Sequence, residues 1–161
     1  YFMTARLTPE EREERKRLFG KMTEGFRSLR PYDWRMDDGR TILEIPVTTI
    51  PWLKIPMHLS YLLYLRQFSE LVAWGHYQWA MLLCRCAGVR PSLLLHPLDF
   101  LGRDDDDDLA FFPAMNMPGR VKLKFMERVL TDYCARYQVG TMRQHAVEVR
   151  ERKVNRVAVP E

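Results

Sequence analysis

Residues 91–100 read Pro91-Ser92-Leu93-Leu94-Leu95-His96-Pro97-Leu98-Asp99-Phe100, and this stretch decides how the chain is read. Ser92 to His96 is a short, largely apolar run behind a proline. Such a run predicts a strand buried on both faces, as in a parallel sheet wrapped by helices. Pro97 has no amide hydrogen to give a ladder, so the strand ends at His96. In α/β barrels functional side chains stand at the C-terminal ends of strands, where the following loops form the site. His96 at a strand end, with a long loop over 98–118 after it, fits that placement. An imidazole titrates near neutral pH and serves as a proton donor to a leaving amine or as an oxyanion partner. The spacing fits equally well a histidine that bonds a loop carbonyl and caps a strand.

Upstream, Thr41 to Thr49 is rich in β-formers and predicts a strand, with Pro46 near its end or on an edge. Asp37-Asp38-Gly39 marks a turn before it, and Pro51 and Pro56 bracket a loop that carries Trp52. A long helical region follows over about 59–87, split near Ser69 or Gly75 and stopped by Gly88 in a left-handed cap position. Downstream, a helix from Pro118 or Gly119 places Leu123, Met126, Leu130, Tyr133 and Tyr137 on one face. Thr141-Met142-Arg143 reads as a last short strand before a charged terminal helix. At the other end, Thr8-Pro9-Glu10-Glu11 opens a helix towards Ser28 or Leu29, with Leu18, Phe19, Met22 and Phe26 on its apolar face. The alternation predicts a helix-rich α/β architecture with a few parallel strands. Three strands are too few to close a barrel, so the units read as the final turns of a larger one.

The chain has 161 residues, enough for a single core, with 47% hydrophobic and 29% charged residues, which argues against disorder. The net charge of +4 is interleaved with Glu at both ends and predicts solvated helix faces rather than a nucleic-acid surface. No apolar run reaches the ~20 residues of a membrane span. Three cysteines, Cys84, Cys86 and Cys134, form no disulfide framework and read as thiols in a reducing compartment; the expected location is cytoplasmic or membrane-associated.

Three segments taken together resemble polysaccharide deacetylases of the chitooligosaccharide-deacetylase type: Leu43-Glu44-Ile45-Pro46-Val47-Thr48, Leu94-Leu95-His96-Pro97 with Asp99, and Gly140-Thr141-Met142. The resemblance spans about residues 42–145 and rests on order and spacing. It implies that the chain is the C-terminal part of a distorted (β/α) barrel. On that comparison residues 1–40 form an inserted or peripheral helix, 41–145 the barrel strands and helices, and 146–161 a charged tail. It further implies metal-assisted hydrolysis of an N-acylated amino-sugar glycan or a lipid-linked sugar, with a divalent ion such as zinc. His96 matches the general acid of the family, and Leu94 the apolar residue beside the acetyl methyl.

The departures are as informative. The family's metal site needs an early Asp pair and two histidines about four residues apart, whereas His58, His76, His96 and His145 show no such spacing. Asp37-Asp38 beside Gly39 reads as a turn. The metal ligands and the base are therefore expected in a missing N-terminal part of the barrel, with none in this chain and the segment alone inactive. Asp104 to Asp108 reads as a solvated loop, since adjacent carboxylates repel and do not converge on one ion. Asp99 either orients His96 or caps a turn. Trp52 is the sugar-stacking candidate, while Trp74 and Trp79 read as core. Phe111-Phe112-Pro113 and Met115-Asn116-Met117 read as a lid or acceptor wall. A binding or interaction module without hydrolysis is the competing reading.

Overall fold

A computed structural model describes residues 27–109, 112 and 114–157. The expected N-terminal helix lies outside these residues apart from 27–30, which are not helical, and Phe111 and Pro113 lie outside them as well. Asp37-Asp38-Gly39 turns the chain as its composition predicts. Gly39 adopts φ 82°, and the Asp38 carboxylate accepts from the Arg40 backbone N–H at 3.0 Å. The turn joins β1 (Tyr32–Arg35) to β2 (Thr41–Glu44) in an antiparallel pair, Tyr32 opposite Glu44 and Arg35 opposite Thr41. The strand expected over 41–49 thus forms in its first half, against a partner that reads as loop.

The parallel strands do not form. Among the described residues the chain is helix-rich with one small two-stranded antiparallel sheet, and no barrel closes. Residues 91–96 are not a strand. Side chains and helix ends, not a neighbouring strand, occupy their polar groups. Thr48 and Ser92 exchange bonds, Thr48 N–H to Ser92 Oγ at 3.1 Å and Ser92 N–H to Thr48 Oγ1 at 2.8 Å. The Leu94 carbonyl accepts from Leu59 N–H at 3.0 Å, and the Pro91 carbonyl accepts from Tyr133 Oη at 2.6 Å. Leu94 and Leu95 are 38% and 41% exposed, so the run is a strap across the surface rather than a doubly buried strand.

The long helical region divides at Ser69, one of the two positions expected, into α1 (Leu59–Phe68) and α2 (Glu70–Cys86). Ser69 is extended and its Oγ accepts from Val72 N–H, so one residue ends the first helix and caps the second. Gly88 takes φ 62°, and Val89 N–H reaches back to the Cys84 carbonyl at 2.9 Å, the left-handed ending that its sequence position predicts. Helix α3 (Gly119–Arg136) starts where expected, and Met126, Tyr133 and Tyr137 of the expected stripe pack into or against the core. Lys122, Phe125, Met126 and Val129 face inward while Leu123 is 47% exposed. The lysine takes the core position because carbonyls wait there for its ammonium. Lys122 Nζ donates to Leu98 O at 2.7 Å and to Leu101 O.

Helix α4 (Met142–Val157) begins where a strand was expected. Thr141 Oγ1 accepts from Gln144 N–H at 3.2 Å and Gln144 Oε1 accepts from Thr141 N–H at 2.8 Å, a reciprocal capping box. The T-x-x-Q spacing announces this in the sequence, and β-propensity at Thr141 obscures it. The aspartate run has a structural use. Asp104 Oδ1 accepts from Gly119 N–H at 2.6 Å at the start of α3, and Asp105 Oδ2 accepts from Gly102 N–H at 2.7 Å. That first bond holds the Asp104 carboxyl below its usual range.

The core gathers Ile50, Met57, Leu62, Leu63, Tyr77, Met81, Phe125 and Val129 where α1, α2 and α3 meet. Trp74 packs against it, under the Arg128 guanidinium at 3.9 Å, but Trp79 is 47% exposed and is not core. The three cysteines are free. Cys84 is buried, and burial raises its thiol to about 11, whereas Cys86 and Cys134 are exposed.

Two substitutions test the joint between strap and α3. A Cβ on Gly102 would lie 2.1 Å from Gly119 N, so Gly102→Ala is expected to lower the unfolding free energy by about 2–3 kcal/mol. Lys122→Met leaves two carbonyls without their donor and is expected to lower it by about 2–4 kcal/mol. Urea unfolding of the variants beside the parent chain measures both, and a loss under 0.5 kcal/mol would contradict the account.

Candidate functional site

The strap carries His96 to the first turn of α1. Its backbone is extended there (φ −114°, ψ 152°), and residues 97–99 form a single 3-10 turn with Pro97 at its start. The turn reverses the chain so that Asp99 comes back beneath His96. Asp99 Oδ2 accepts from the His96 backbone N–H at 2.8 Å. His96 therefore caps a turn rather than ending a strand, and Asp99 does both things its position allows: it closes the turn and faces the imidazole.

Ser60, which sequence reading overlooks, completes the group. It is the second residue of α1, and its Oγ lies 2.6 Å from Asp99 Oδ1 and 2.9 Å from His96 Nδ1. A hydroxyl has one proton to give. With that proton on the Asp99 carboxylate, the Ser60 oxygen accepts from His96 Nδ1–H. The tautomer follows: Nδ1 carries hydrogen, and Nε2 remains to exchange a proton with whatever approaches. Asp99 is almost fully buried, at 3% exposure, while the His96 side chain is 48% exposed. A buried anion thus acts through a hydroxyl on a solvent-facing imidazole, and it also lies 3.8 Å from Nδ1 directly. Beneath the carboxylate is Lys122. Burial lowers its ammonium below the usual lysine range, and the charges of Asp99 and Asp105 oppose that shift.

His58 stands beside the group. Its ring centroid is 6.0 Å from that of His96, edge to face, and its Nδ1 accepts from Tyr61 N–H at 3.2 Å, which caps α1. Burial holds the His58 pKa below its ordinary 6.5; the neighbouring His96 lowers it further, and Asp99 opposes. Because Nδ1 accepts the Tyr61 N–H, the neutral His58 ring carries its hydrogen on Nε2. His76 is structural, because a carbonyl only accepts: its Nε2–H donates to Pro56 O at 3.2 Å.

The other expected site residues are not drawn in. Leu94 takes part through its backbone carbonyl, which anchors the strap. Trp52 is 68% exposed at the tip of a tight turn closed by Ile50 N–H to Ile55 O and by a Thr49–Pro56 bridge. It adopts φ 62°, a conformation that bulky residues rarely take. No hydrogen bond or ring contact among the described residues joins it to His96, Ser60 and Asp99. Met115 is buried beside Lys122 and Met117 packs into the core, so neither lines an open wall. Among the described residues no three His, Cys, Asp or Glu side chains converge as a metal-ligand set, and no helix is long and apolar enough to cross a membrane.

Comparison with family models, with curated proteins and with solved structures finds no match.

The pair of imidazoles predicts a pH effect on stability. His58 binds its proton less readily in the folded chain than in the unfolded one, so the unfolded state gains protons first as pH falls. Stability is then expected to be full above 6.5 and to decline as pH drops from 6.5 through the lowered folded value. His58→Asn, which keeps a capping side chain, should flatten that slope. Unfolding free energies between pH 7.5 and 5 measure it, and an equal slope in the variant would refute the assignment.

Proposed function

We propose that this chain contributes the proton-transfer side of a hydrolytic site of the polysaccharide deacetylase kind, acting on the acyl amide of an amino sugar. The observation that supports it most is the Asp99–Ser60–His96 relay, which fixes one nitrogen of an exposed imidazole and frees the other. In this reading His96 in its doubly protonated form gives the Nε2 hydrogen to the departing amine. Its Nδ1–H stays on Ser60, and Asp99 balances the positive charge. The barrel that the resemblance implies is not needed for this step, since a helix start and a 3-10 turn bring the three groups together. A divalent ion is part of the resemblance. The described side chains do not form a set that would hold one, so no step here passes through it. Cytoplasmic or membrane-associated action, with a glycan or a lipid-linked sugar as substrate, remains part of the proposal.

A second reading has an observation of its own. Strained residues cluster where ligands are held, and Trp52 pairs its positive φ with high exposure. A non-hydrolytic glycan-binding module would use that indole as a platform.

Acetate release from N-acetylglucosamine oligomers by the full-length natural protein tests the first reading. His96→Ala is expected to lower kcat by roughly 10²–10⁴-fold and Ser60→Ala by roughly tenfold, with KM little changed. Near-native kcat in His96→Ala would sink it. Binding without release, weakened roughly tenfold by Trp52→Ala, would establish the module instead.

A further inference from the structure

The outer face of α2 carries a stripe that nothing inside the described chain accounts for. Leu71 is 81% exposed, Trp79 47% and Leu82 54%, with Gly75 between the first two. The spacing of four, four and three residues keeps these positions on one side of the helix. Phe68 and Val72, 72% and 56% exposed, extend the surface at its N-terminal end.

Gly75 is the informative residue. It sits mid-helix, where glycine costs about 1 kcal/mol relative to alanine. A Cβ built on it meets no atom within 4 Å, so internal packing does not require its absence. A missing side chain on a solvent-facing apolar stripe serves close approach from outside. One turn further on stands the bulky, half-exposed Trp79. A notch and a knob four residues apart on one helix are self-complementary under a two-fold axis. If two copies of α2 cross antiparallel about residue 77, Gly75 of each faces Trp79 of the other, and Val72 of each faces Leu82 of the other.

We infer that α2 is a two-fold self-association surface, with a second copy of this chain as its occupant and Trp79 seated over Gly75. The exposed apolar area is on the order of 500 Å² per copy, taking roughly 150–250 Å² for each large side chain. Two copies then bury about 1,000 Å², the low end of specific interfaces, which fits a reversible dimer. Isologous pairing also opposes the two helix dipoles, which favours the antiparallel arrangement.

Sedimentation velocity of the full chain between about 1 and 200 µM tests the inference. A monomer–dimer equilibrium is expected. Gly75→Trp, which fills the notch, and Trp79→Ala, which removes the knob, should each weaken association at least tenfold, while circular dichroism shows the fold intact. The double variant Gly75→Trp/Trp79→Ala exchanges knob and notch and should restore association. That rescue distinguishes self-pairing from cover by residues 1–26 or by a foreign partner, neither of which it would restore. If Gly75→Trp fails to fold, Leu71→Glu/Leu82→Glu replaces it and should leave a folded monomer. A parent chain monomeric at 200 µM, or a double variant no better than the singles, would overturn the inference.

Discussion

One buried ammonium group sets where the rest of the strap lies. Lys122 is on the inward face of α3, at 1% exposure, and its Nζ donates to the carbonyls of Leu98 and Leu101. A lysine so placed is tolerated only if its hydrogens find acceptors and an opposite charge stands near. Leu98 and Leu101 supply the acceptors, and Asp99 and Asp105 supply the charge. The segment that contains these groups is therefore held against α3 although it forms no ladder and no long helix. His96, Asp99 and their bond to α1 inherit their positions from that attachment.

The same constraint explains which parts of the fold the sequence discloses. Elements governed by neighbouring residues read correctly: the Asp37-Asp38-Gly39 turn, the division at Ser69, the left-handed Gly88 and the onset of α3. Each depends on a cap or a φ preference that acts within a few residues. The strap reads wrongly because a short apolar run between prolines has the composition of a buried strand, and only distant groups decide otherwise. Ser92 meets Thr48, and Leu94 meets Leu59. The same holds for α3, where an apolar stripe predicts Leu123 inside and the waiting carbonyls select Lys122. Thr141 to Gln144 is the contrary case, since its capping box was legible and a β-former at its first position masked it.

The site shows both behaviours. His96 stands out in sequence as a histidine before a proline, and Asp99 follows it at a distance that suits a turn. Ser60 carries no signal, because its place depends on α1 being brought under the strap, and a serine in a first helical turn is ordinary. Yet Ser60 fixes the tautomer, since a single hydroxyl proton decides which imidazole nitrogen holds hydrogen. Sequence reading thus singles out the imidazole and misses the hydroxyl that orients it.

Joining the site to the core has a consequence for how the two can vary. Asp99 accepts from the His96 backbone and from Ser60 while its charge supports Lys122, so one carboxylate serves the turn, the Ser60 hydroxyl and the buried ammonium together. Replacing it by an apolar residue would leave Lys122 with less compensation, and replacing it by asparagine would keep the shape of the turn but remove the charge. Fold and site geometry are therefore coupled at Asp99 and separable at His96, whose side chain is half exposed and, among the described residues, hydrogen-bonds to the Ser60 hydroxyl. Such a division leaves the imidazole on the surface, while the buried carboxylate is fixed by packing.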